Sequence, residues 1–508
     1  MDVIVVGAGS AGSVVARRLV DAGAAVTLLE AGGEDVNPAI HDPARAGELW
    51  YGPEDWDLST VPQEHAAGRR LHLPRGRVLG GSHALNAMIW VRGAPADYDG
   101  WGLPGWSWAD VEPVFARIEK DLLEVVPNEP LHPIQQSIVD ACVSVGLPVN
   151  PDCNSGTLDG VSVEQVTLRG GRRFTTWHAY GAPVAARMTV HTGALVQRLR
   201  FSGSRVTGVE VVLDGVRQEL AADLVVLAAG ALASPAILLR SGVGPADELR
   251  ALGLDVVADL PGVGRNLHDH LLSPVIFTTT REVSPAPGRP VTQVHWWWRS
   301  RAGLAVPDTQ PICFSVPMYE PWMSGPPTGF SLMAGMVTPE SRGSLRLAPD
   351  GSPLIDLAAL AEPADFESLV ASVEQCLAVG AAPALAGEWG ARPRYPGSAD
   401  DLRDYVRRTA ITYHHQVGTC RMGTGPDAVV DPRLAVHGLA GLVVADASVL
   451  PRVTTGNTNA PAVLVGEQAA RFLLGASNRP AGGEHAHRGL AGIRRRVTLF
   501  GGQVSYGE

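Results

Sequence analysis

The chain has 508 residues, a formal net charge of −11 at pH 7, and an ordinary balance of 45% hydrophobic and 18% charged residues. This length predicts two to four domains, and the acidic charge argues against a nucleic acid as partner. The five cysteines are widely spaced and form no CxxC pair, so they predict neither a disulfide framework nor a zinc site.

The first thirty residues carry a nucleotide-binding pattern. An apolar run from Val3 to Val6 leads into the turn Gly7-Ala8-Gly9-Ser10-Ala11-Gly12, and a second apolar run ends in Glu30. This pattern predicts a strand, a tight turn, a helix and a second strand that together bind an adenine dinucleotide. Gly7 permits the turn, Gly9 lets the backbone approach a pyrophosphate, and Gly12 lets the helix pack closely on the strand. Glu30 is placed to accept hydrogen bonds from the ribose hydroxyls, and an acid there disfavours NADP.

The position of this first strand also bears on where in the cell the protein is found. Because the strand begins at Asp2, no room remains for a leader with a basic and an apolar region. No apolar run reaches the length of a membrane span. We therefore expect a cytoplasmic protein with no membrane span.

Two later segments predict further strands of the same sheet. Residues 221–230 (AADLVVLAAG) and 441–446 (GLVVAD) both read as buried strands that run into small-residue turns. One parallel sheet assembled from distant parts of the chain is therefore expected.

Residues 273–409 have a different character, with alternating patterns such as Ser344 to Leu347 that favour antiparallel strands. This segment contains the triplet Trp296-Trp297-Trp298. Because adjacent strand residues face opposite ways, at most alternate rings could share one substrate pocket, and we favour core packing for the triplet.

Six further segments carry ordered motifs. They are residues 74–101 (PRGRVLGGSHALNAMIWVRGAPADYDGW), 230–245 (GALASPAILLRSGVGP), 261–270 (PGVGRNLHDH), 415–423 (HQVGTCRMG), 446–448 (DAS) and 455–461 (TGNTNAP). With the N-terminal pattern, they resemble the signatures of the glucose-methanol-choline (GMC) family of flavoenzymes, and the match runs in the expected order from residue 2 to about residue 475.

The resemblance implies an α/β chain, α+β overall, with a Rossmann-like FAD-binding domain and a second, antiparallel-sheet substrate domain. The expected FAD-binding domain is discontinuous, comprising residues 1–272 and 412–476, and the substrate domain comprises residues 273–411. Residues 477–508 are expected to form a C-terminal tail with no assigned function.

The implied cofactor is noncovalent FAD. Leu85 stands where some relatives carry the histidine that attaches the flavin, and a structural hydrogen-bonding role is favoured for the nearby His83. By position in the motifs, the residues expected to bind FAD are Gly7, Gly9, Ser10, Ala11, Gly12, Glu30, Ala31, Val78, Gly80, Gly81, Ser82, Asn86, Ala87, Val196, Ala229, Gly230, Asp446, Ala447, Asn457 and Thr458.

The resemblance also implies a catalytic pair, His415 and Asn459. An imidazole with an ordinary pKa near 6.5 can accept the hydroxyl proton of an alcohol at neutral pH, which makes His415 the expected general base. Asn459 cannot titrate and would hold the alcohol oxygen by a hydrogen bond. His414, adjacent to the expected base, is expected to flank the pocket as a packing or orienting residue. His268 and His270 have no third ligand at a suitable spacing, so we predict structural roles for them and no metal site.

The leading hypothesis is therefore an FAD-dependent oxidoreductase that oxidises a CH–OH group, with oxygen or another carrier as electron acceptor. A hydroxynitrile lyase of the same fold, which retains FAD without using its redox chemistry, is the alternative. A flavin-bearing protein that has lost catalysis finds no support. Small aliphatic, aryl and amino alcohols and sugars all remain candidate substrates; choline is not favoured.

Overall fold

The computed structural model describes residues 1–284 and 286–475, so the expected tail at 477–508 lies outside the described residues. A five-stranded sheet contains the first strand of the chain, and all of its neighbouring strands are parallel. Its order across the sheet is Leu442–Val444, Leu224–Leu227, Asp2–Val6, Ala25–Leu29 and Thr189–His191. The parallel sheet expected from three distant parts of the chain is therefore confirmed, and Thr189–His191 adds a strand to it.

The carboxyl ends of these strands meet at one edge of the sheet. Gly7 follows Asp2–Val6, Glu30 follows Ala25–Leu29, Ala228 follows Leu224–Leu227, and Ala445 follows Leu442–Val444. In open parallel sheets ligands bind at this edge, because the backbone turns away there and leaves a crevice. The topology thus gathers the predicted nucleotide-binding turns in one place.

A second sheet of seven strands is antiparallel at every pairing. One of its strands, Gly160–Val163, comes from the N-terminal part of the chain, outside the segment 273–411 expected to form this unit. The strands run in the order Arg392–Tyr395, Leu271–Thr278, Phe330–Met336, Ile312–Phe314, Thr292–Trp297 and Gly160–Val163, and Ile411–Thr412 pairs with Leu271–Thr278. The mixed α/β class with a second, antiparallel unit is confirmed.

The tryptophan triplet ends a strand of this second sheet. Trp296 and Trp297 are both fully buried, and the indole N–H of Trp296 donates to Gln375 Oε1 at 2.7 Å. None of the three indoles lines the large cavity described below. The interpretation of the triplet as core packing is therefore correct.

The remaining strands belong to smaller sheets of two or three strands. The segment Ser344–Leu347, expected to be antiparallel, forms a hairpin with Pro353–Asp356. The remaining strands are Leu58–Ser59, His72–Leu73, Val125–Pro127, Gln165–Arg169, Arg172–Arg173, Leu195–Ser202, Arg205–Leu213, Val216–Ala221, Val243–Gly244 and Ala258–Asp259. The α-helices are Gly12–Asp21, Pro38–His41, Pro95–Trp101, Trp108–Asp121, Pro133–Ser144, Gly230–Arg240, Ala246–Ala251, Pro363–Gly380, Leu402–Thr409 and Asn459–Gly475. Within residues 1–284 and 286–475, no helix has the length and apolar character needed to cross a bilayer.

The start of the helix Gly12–Asp21 gives a sharp packing test. A Cβ atom on Gly12 would lie 1.9 Å from the carbonyl oxygen of Gly7, whereas a Cβ on Gly33 would meet nothing within 4 Å. We expect Gly12→Ala to lower the free energy of unfolding by about 1–3 kcal/mol, because the helix must move away from the strand to admit the methyl group. Urea unfolding measures the change. Gly33→Ala is the matched control, and equal stabilities of the two variants would contradict the packing described.

Candidate active site

A cavity of about 1350 Å³ opens at the carboxyl edge of the parallel sheet. This volume exceeds the roughly 300–1,000 Å³ of a site for a drug-sized ligand. Its lining includes Glu30 and Val196 as well as His415 and Tyr413, and the strand Ile312–Phe314 of the antiparallel sheet contributes Ile312. The cavity therefore has room for a dinucleotide and a small substrate together.

Most of the residues expected from the sequence line this one cavity. Gly12, Val78 and Gly80 do not: Gly12 packs on Gly7, Val78 forms a bridge with Gly33, and the Gly80 N–H donates to the Ala8 carbonyl. These three hold neighbouring turns in place. The lining contains Gly7, Gly9, Ser10, Ala11, Glu30, Ala31, Gly81, Ser82, Asn86, Ala87, Val196, Ala229, Gly230, Asp446, Ala447, Asn457 and Thr458, together with the expected catalytic residues His415 and Asn459.

Glu30 lies at the nucleotide end with its carboxylate buried. Its Oε2 accepts from the Ala8 N–H at 3.0 Å, and its Oε1 accepts from the Gly32 N–H at 2.8 Å. Burial raises the pKa of Glu30 to about 7, and these backbone hydrogen bonds oppose the rise. The Ala31 backbone is a third donor to this carboxylate. A carboxylate has about four acceptor sites, so the group retains the capacity to accept from a ligand hydroxyl.

Two glycines allow the turns on either side of the cavity to touch. A Cβ on Gly81 would lie 2.7 Å from the Gly9 Cα, and Gly81 adopts a left-handed φ of +55°. Beside this contact, Ser10 Oγ donates to Asn459 Oδ1 at 2.7 Å. The nucleotide-binding turn is thereby joined to the first residue of the helix Asn459–Gly475.

The segment that carries His415 is held by a buried carboxylate. Asp269 Oδ1 accepts from the His415 backbone N–H at 2.8 Å, and its Oδ2 accepts from Thr412 Oγ1 and from Gln416 Nε2. Burial raises the pKa of Asp269 to about 6, although these hydrogen bonds and the nearby Arg75 lower it. Arg75 also donates to the His414 carbonyl at 2.6 Å, so two charged groups fix the segment.

Both ring nitrogens of His415 have polar neighbours. Its Nδ1 lies 2.9 Å from His270 Nδ1, and its Nε2 lies 3.4 Å from Asn457 Nδ2. Tyr413 stacks on the imidazole, with ring centroids 4.5 Å apart. Burial lowers the pKa of His415 well below 6.5, and His270, His414 and Arg75 add to the effect. The ring is therefore neutral at neutral pH and can accept a proton.

The two asparagines of the last motif have different neighbours. Asn459, expected to hold the alcohol oxygen, has its side chain in contact with Ser10 and 3.3 Å from His83 Nε2. Asn457, expected only to bind cofactor, is the amide in contact with His415. Both asparagines line the cavity.

His83 is buried outside the cavity lining. Its Nδ1 accepts from the Thr176 N–H at 3.2 Å and its Nε2 lies 2.8 Å from Thr167 Oγ1. Burial lowers its pKa to about 3. The structural hydrogen-bonding role expected for this residue agrees with these contacts.

The wall opposite the parallel sheet is apolar and aromatic. Trp50 packs edge-on against His414, with ring centroids 5.1 Å apart. The other large side chains that line this end of the cavity are Ile312, Phe314, Met318, Tyr319, Met333 and Tyr413.

Sequence reasoning missed the contact of His270 with His415. The motif around His270 was visible, but its spacing gave no sign of a partner 145 residues away. Only the register of the second sheet brings the two together: the Tyr413 N–H donates to the His270 carbonyl at 2.9 Å, next to the pair Leu271 and Thr412.

The comparisons with known proteins agree with this architecture. The GMC oxidoreductase family models match residues 1–272 and 339–466. An uncharacterised GMC-type oxidoreductase of Mycobacterium tuberculosis is 37% identical over 93% of this chain and 99% of its own length. Pyridoxine 4-oxidase of Microbacterium luteolum is 35% identical, over 92% of this chain and 98% of its own. The crystal structure of pyridoxine 4-oxidase from Mesorbium loti superposes with a TM-score of 0.88 at 35% identity, covering 92% of this chain and 98% of that one.

A parallel sheet whose carboxyl edge opens into the cavity, together with a second, antiparallel sheet, is the architecture of an oxidoreductase of this class. The chain belongs to the GMC oxidoreductase family.

Proposed function

We propose that this chain oxidises the CH–OH group of an alcohol to a carbonyl, with noncovalently bound FAD as cofactor and His415 as general base. The single observation that carries the proposal is the shared cavity. A buried, neutral imidazole lines the same cavity as the turn Gly7 to Ala11 and the carboxylate of Glu30. Alcohol oxidation removes a proton and a hydride, so it requires a base and the flavin dinucleotide in the same cavity.

The residues present fit FAD. Gly7, Gly9 and Ser10 would hold the pyrophosphate, because their backbone lines the cavity at the start of the first helix. Glu30 would accept from the ribose hydroxyls, and Val196 would lie at the adenine. Bound FAD would supply the hydride acceptor.

Noncovalent binding is supported by the side chains nearest the expected attachment point. Leu85 lines the cavity and offers no nucleophile. His83 lies outside the lining, with both ring nitrogens engaged by threonines. Neither side chain is therefore suited to attach the flavin.

The chain's own part in the reaction is to take and hold a proton. The substrate hydroxyl replaces the 3.4 Å contact of the Asn457 amide at the His415 Nε2 lone pair and gives its proton to that atom. Asn459, which lines the same cavity, is the proposed hydrogen-bond partner of the substrate oxygen. General-base catalysis of this kind contributes about 10²–10⁴ in rate.

We further propose that the substrate is an aromatic or heteroaromatic primary alcohol. Trp50, Phe314 and Tyr413 give the substrate end of the cavity flat apolar walls, which favour a planar ring. The similarity to two pyridoxine 4-oxidases points the same way.

Anaerobic mixing with alcohols tests the proposed reaction. We expect pyridoxine or benzyl alcohol to bleach the oxidised flavin band of the holoenzyme, and His415→Ala to slow the bleaching by about 10² or more while FAD stays bound. Stopped-flow absorbance measures the rate. His65→Ala, at an exposed histidine, is the matched control and should behave as the parent enzyme.

The outcomes of this experiment are distinct. Absence of bleaching with every alcohol class would contradict the proposal and favour the lyase. Bleaching at an unchanged rate in His415→Ala would remove His415 from the mechanism. Readmission of air then distinguishes an oxidase, whose flavin colour returns, from a dehydrogenase.

The pH dependence of the same rate follows from the electrostatics of His415. The groups around the ring are His270, His414, Arg75 and Asp269. Burial lowers the pKa of His415, and His270, His414 and the Arg75 guanidinium lower it further. The ring therefore stays deprotonated, and hence active as a base, at pH 6.5 and somewhat below. We expect a flavin-reduction rate that is flat from pH 6.5 upward and falls only at more acidic pH. A rate that still climbs between pH 6.5 and 8 would contradict the lowered pKa.

A further inference from the structure

The contact between His270 and His415 couples the protonation of two rings. Their Nδ1 atoms lie 2.9 Å apart, and the ring planes are nearly perpendicular, at 89°. Burial lowers the pKa of His270 to about 3 and that of His415 well below 6.5, so both rings are neutral. A neutral imidazole carries one N–H, so this hydrogen bond forms only if one Nδ1 donates and the other accepts.

The far side of His415 indicates which nitrogen carries its proton. Asn457 Oδ1 accepts from Gln310 Nε2 at 3.0 Å, which turns the Asn457 amide NH₂ toward His415. An NH₂ group is a donor, so the His415 Nε2 atom that faces it must carry a lone pair. The proton of His415 is then on Nδ1, and His270 Nδ1 accepts it.

The far side of His270 is compatible with this arrangement. With its Nδ1 as acceptor, the proton of His270 lies on Nε2, which is buried and has no hydrogen bond of normal geometry in the described part of the chain. The backbone of Val337 interacts with this ring and raises its pKa, which is the effect of a carbonyl beside a ring N–H. The opposite arrangement would leave a bare lone pair of Nε2 in this buried place.

We propose that His270 is a positioning residue that holds His415 in the tautomer with the proton on Nδ1 and the lone pair on Nε2. This inference rests on the proposed role of His415 as base. In the other tautomer His415 would present an N–H to the cavity and could not take the substrate proton. When Nε2 takes that proton, the retained bond to His270 also stabilises the imidazolium.

The proposal has two direct readouts. In the holoenzyme labelled with ¹⁵N-histidine, we expect the His415 signals, assigned by their loss in His415→Gln, to show a protonated Nδ1 and an unprotonated Nε2. In His270→Leu, we expect the rate of flavin reduction to fall about tenfold or more, with the substrate dissociation constant changed less than about threefold.

His270→Asn is the matched control, because an asparagine amide oxygen can occupy the place of Nδ1 and accept from His415. We expect this variant to recover most of the rate that His270→Leu loses. A proton on Nε2 of His415 in the parent holoenzyme would overturn the proposal, as would a His270→Leu rate within about twofold of the parent. The NMR measurement needs no variant of His270 and no turnover, so it stands even if His270→Leu does not fold or no alcohol reduces the flavin.

Discussion

The buried carboxylate of Asp269 is the interaction on which the candidate site depends. It comes directly before His270 in the chain, and it accepts hydrogen bonds from the backbone of His415 and from two side chains of the same segment. A buried ion is costly unless it is satisfied, so the carboxylate fixes the two segments against each other. Arg75, which is half-buried and donates to the His414 carbonyl, supplies the compensating charge. The strand register that pairs Leu271 with Thr412 brings His270 next to His415, and Asp269 holds the His415 segment in that place.

A second constraint joins His415 to the glycine-rich turn after the first strand. The hydrogen bond from Ser10 to Asn459 ties the turn after the first strand to the beginning of the last helix. Asn457, two residues earlier, contacts His415, so the loop before this helix bridges the parallel sheet and the imidazole. The cavity between the two sheets is thus bounded by side chains that are hydrogen-bonded to one another. Such a boundary would hold His415 at a fixed distance from a bound dinucleotide. Fixed positions of the reacting groups lower the entropy cost of reaching the transition state.

The sequence alone predicts the local parts of this architecture well. The turn Gly7 to Gly12 and the acid Glu30 follow from backbone geometry and from hydrogen bonding within one unit of about thirty residues, so the pattern is readable. The strand Gly160–Val163 was not expected in the second sheet, because nothing local tells a strand which distant edge it will join. The contact of Asn457, rather than Asn459, with His415 depends on the side-chain directions at a loop-to-helix junction. The role of His270 depends on the register of two strands far apart in the chain. These features come from tertiary pairing, and motif spacing does not encode them.

The central claim is that one cavity holds a noncovalent FAD whose reactive end lies beside the His415 imidazole. A crystal structure of the purified protein with FAD tests this most directly. The account predicts the adenosine at Glu30 and Val196, the flavin ring next to His415 Nε2, and no covalent bond between the cofactor and any side chain. An empty cavity at saturating FAD, a flavin placed away from His415, or a covalent link to the chain would contradict it.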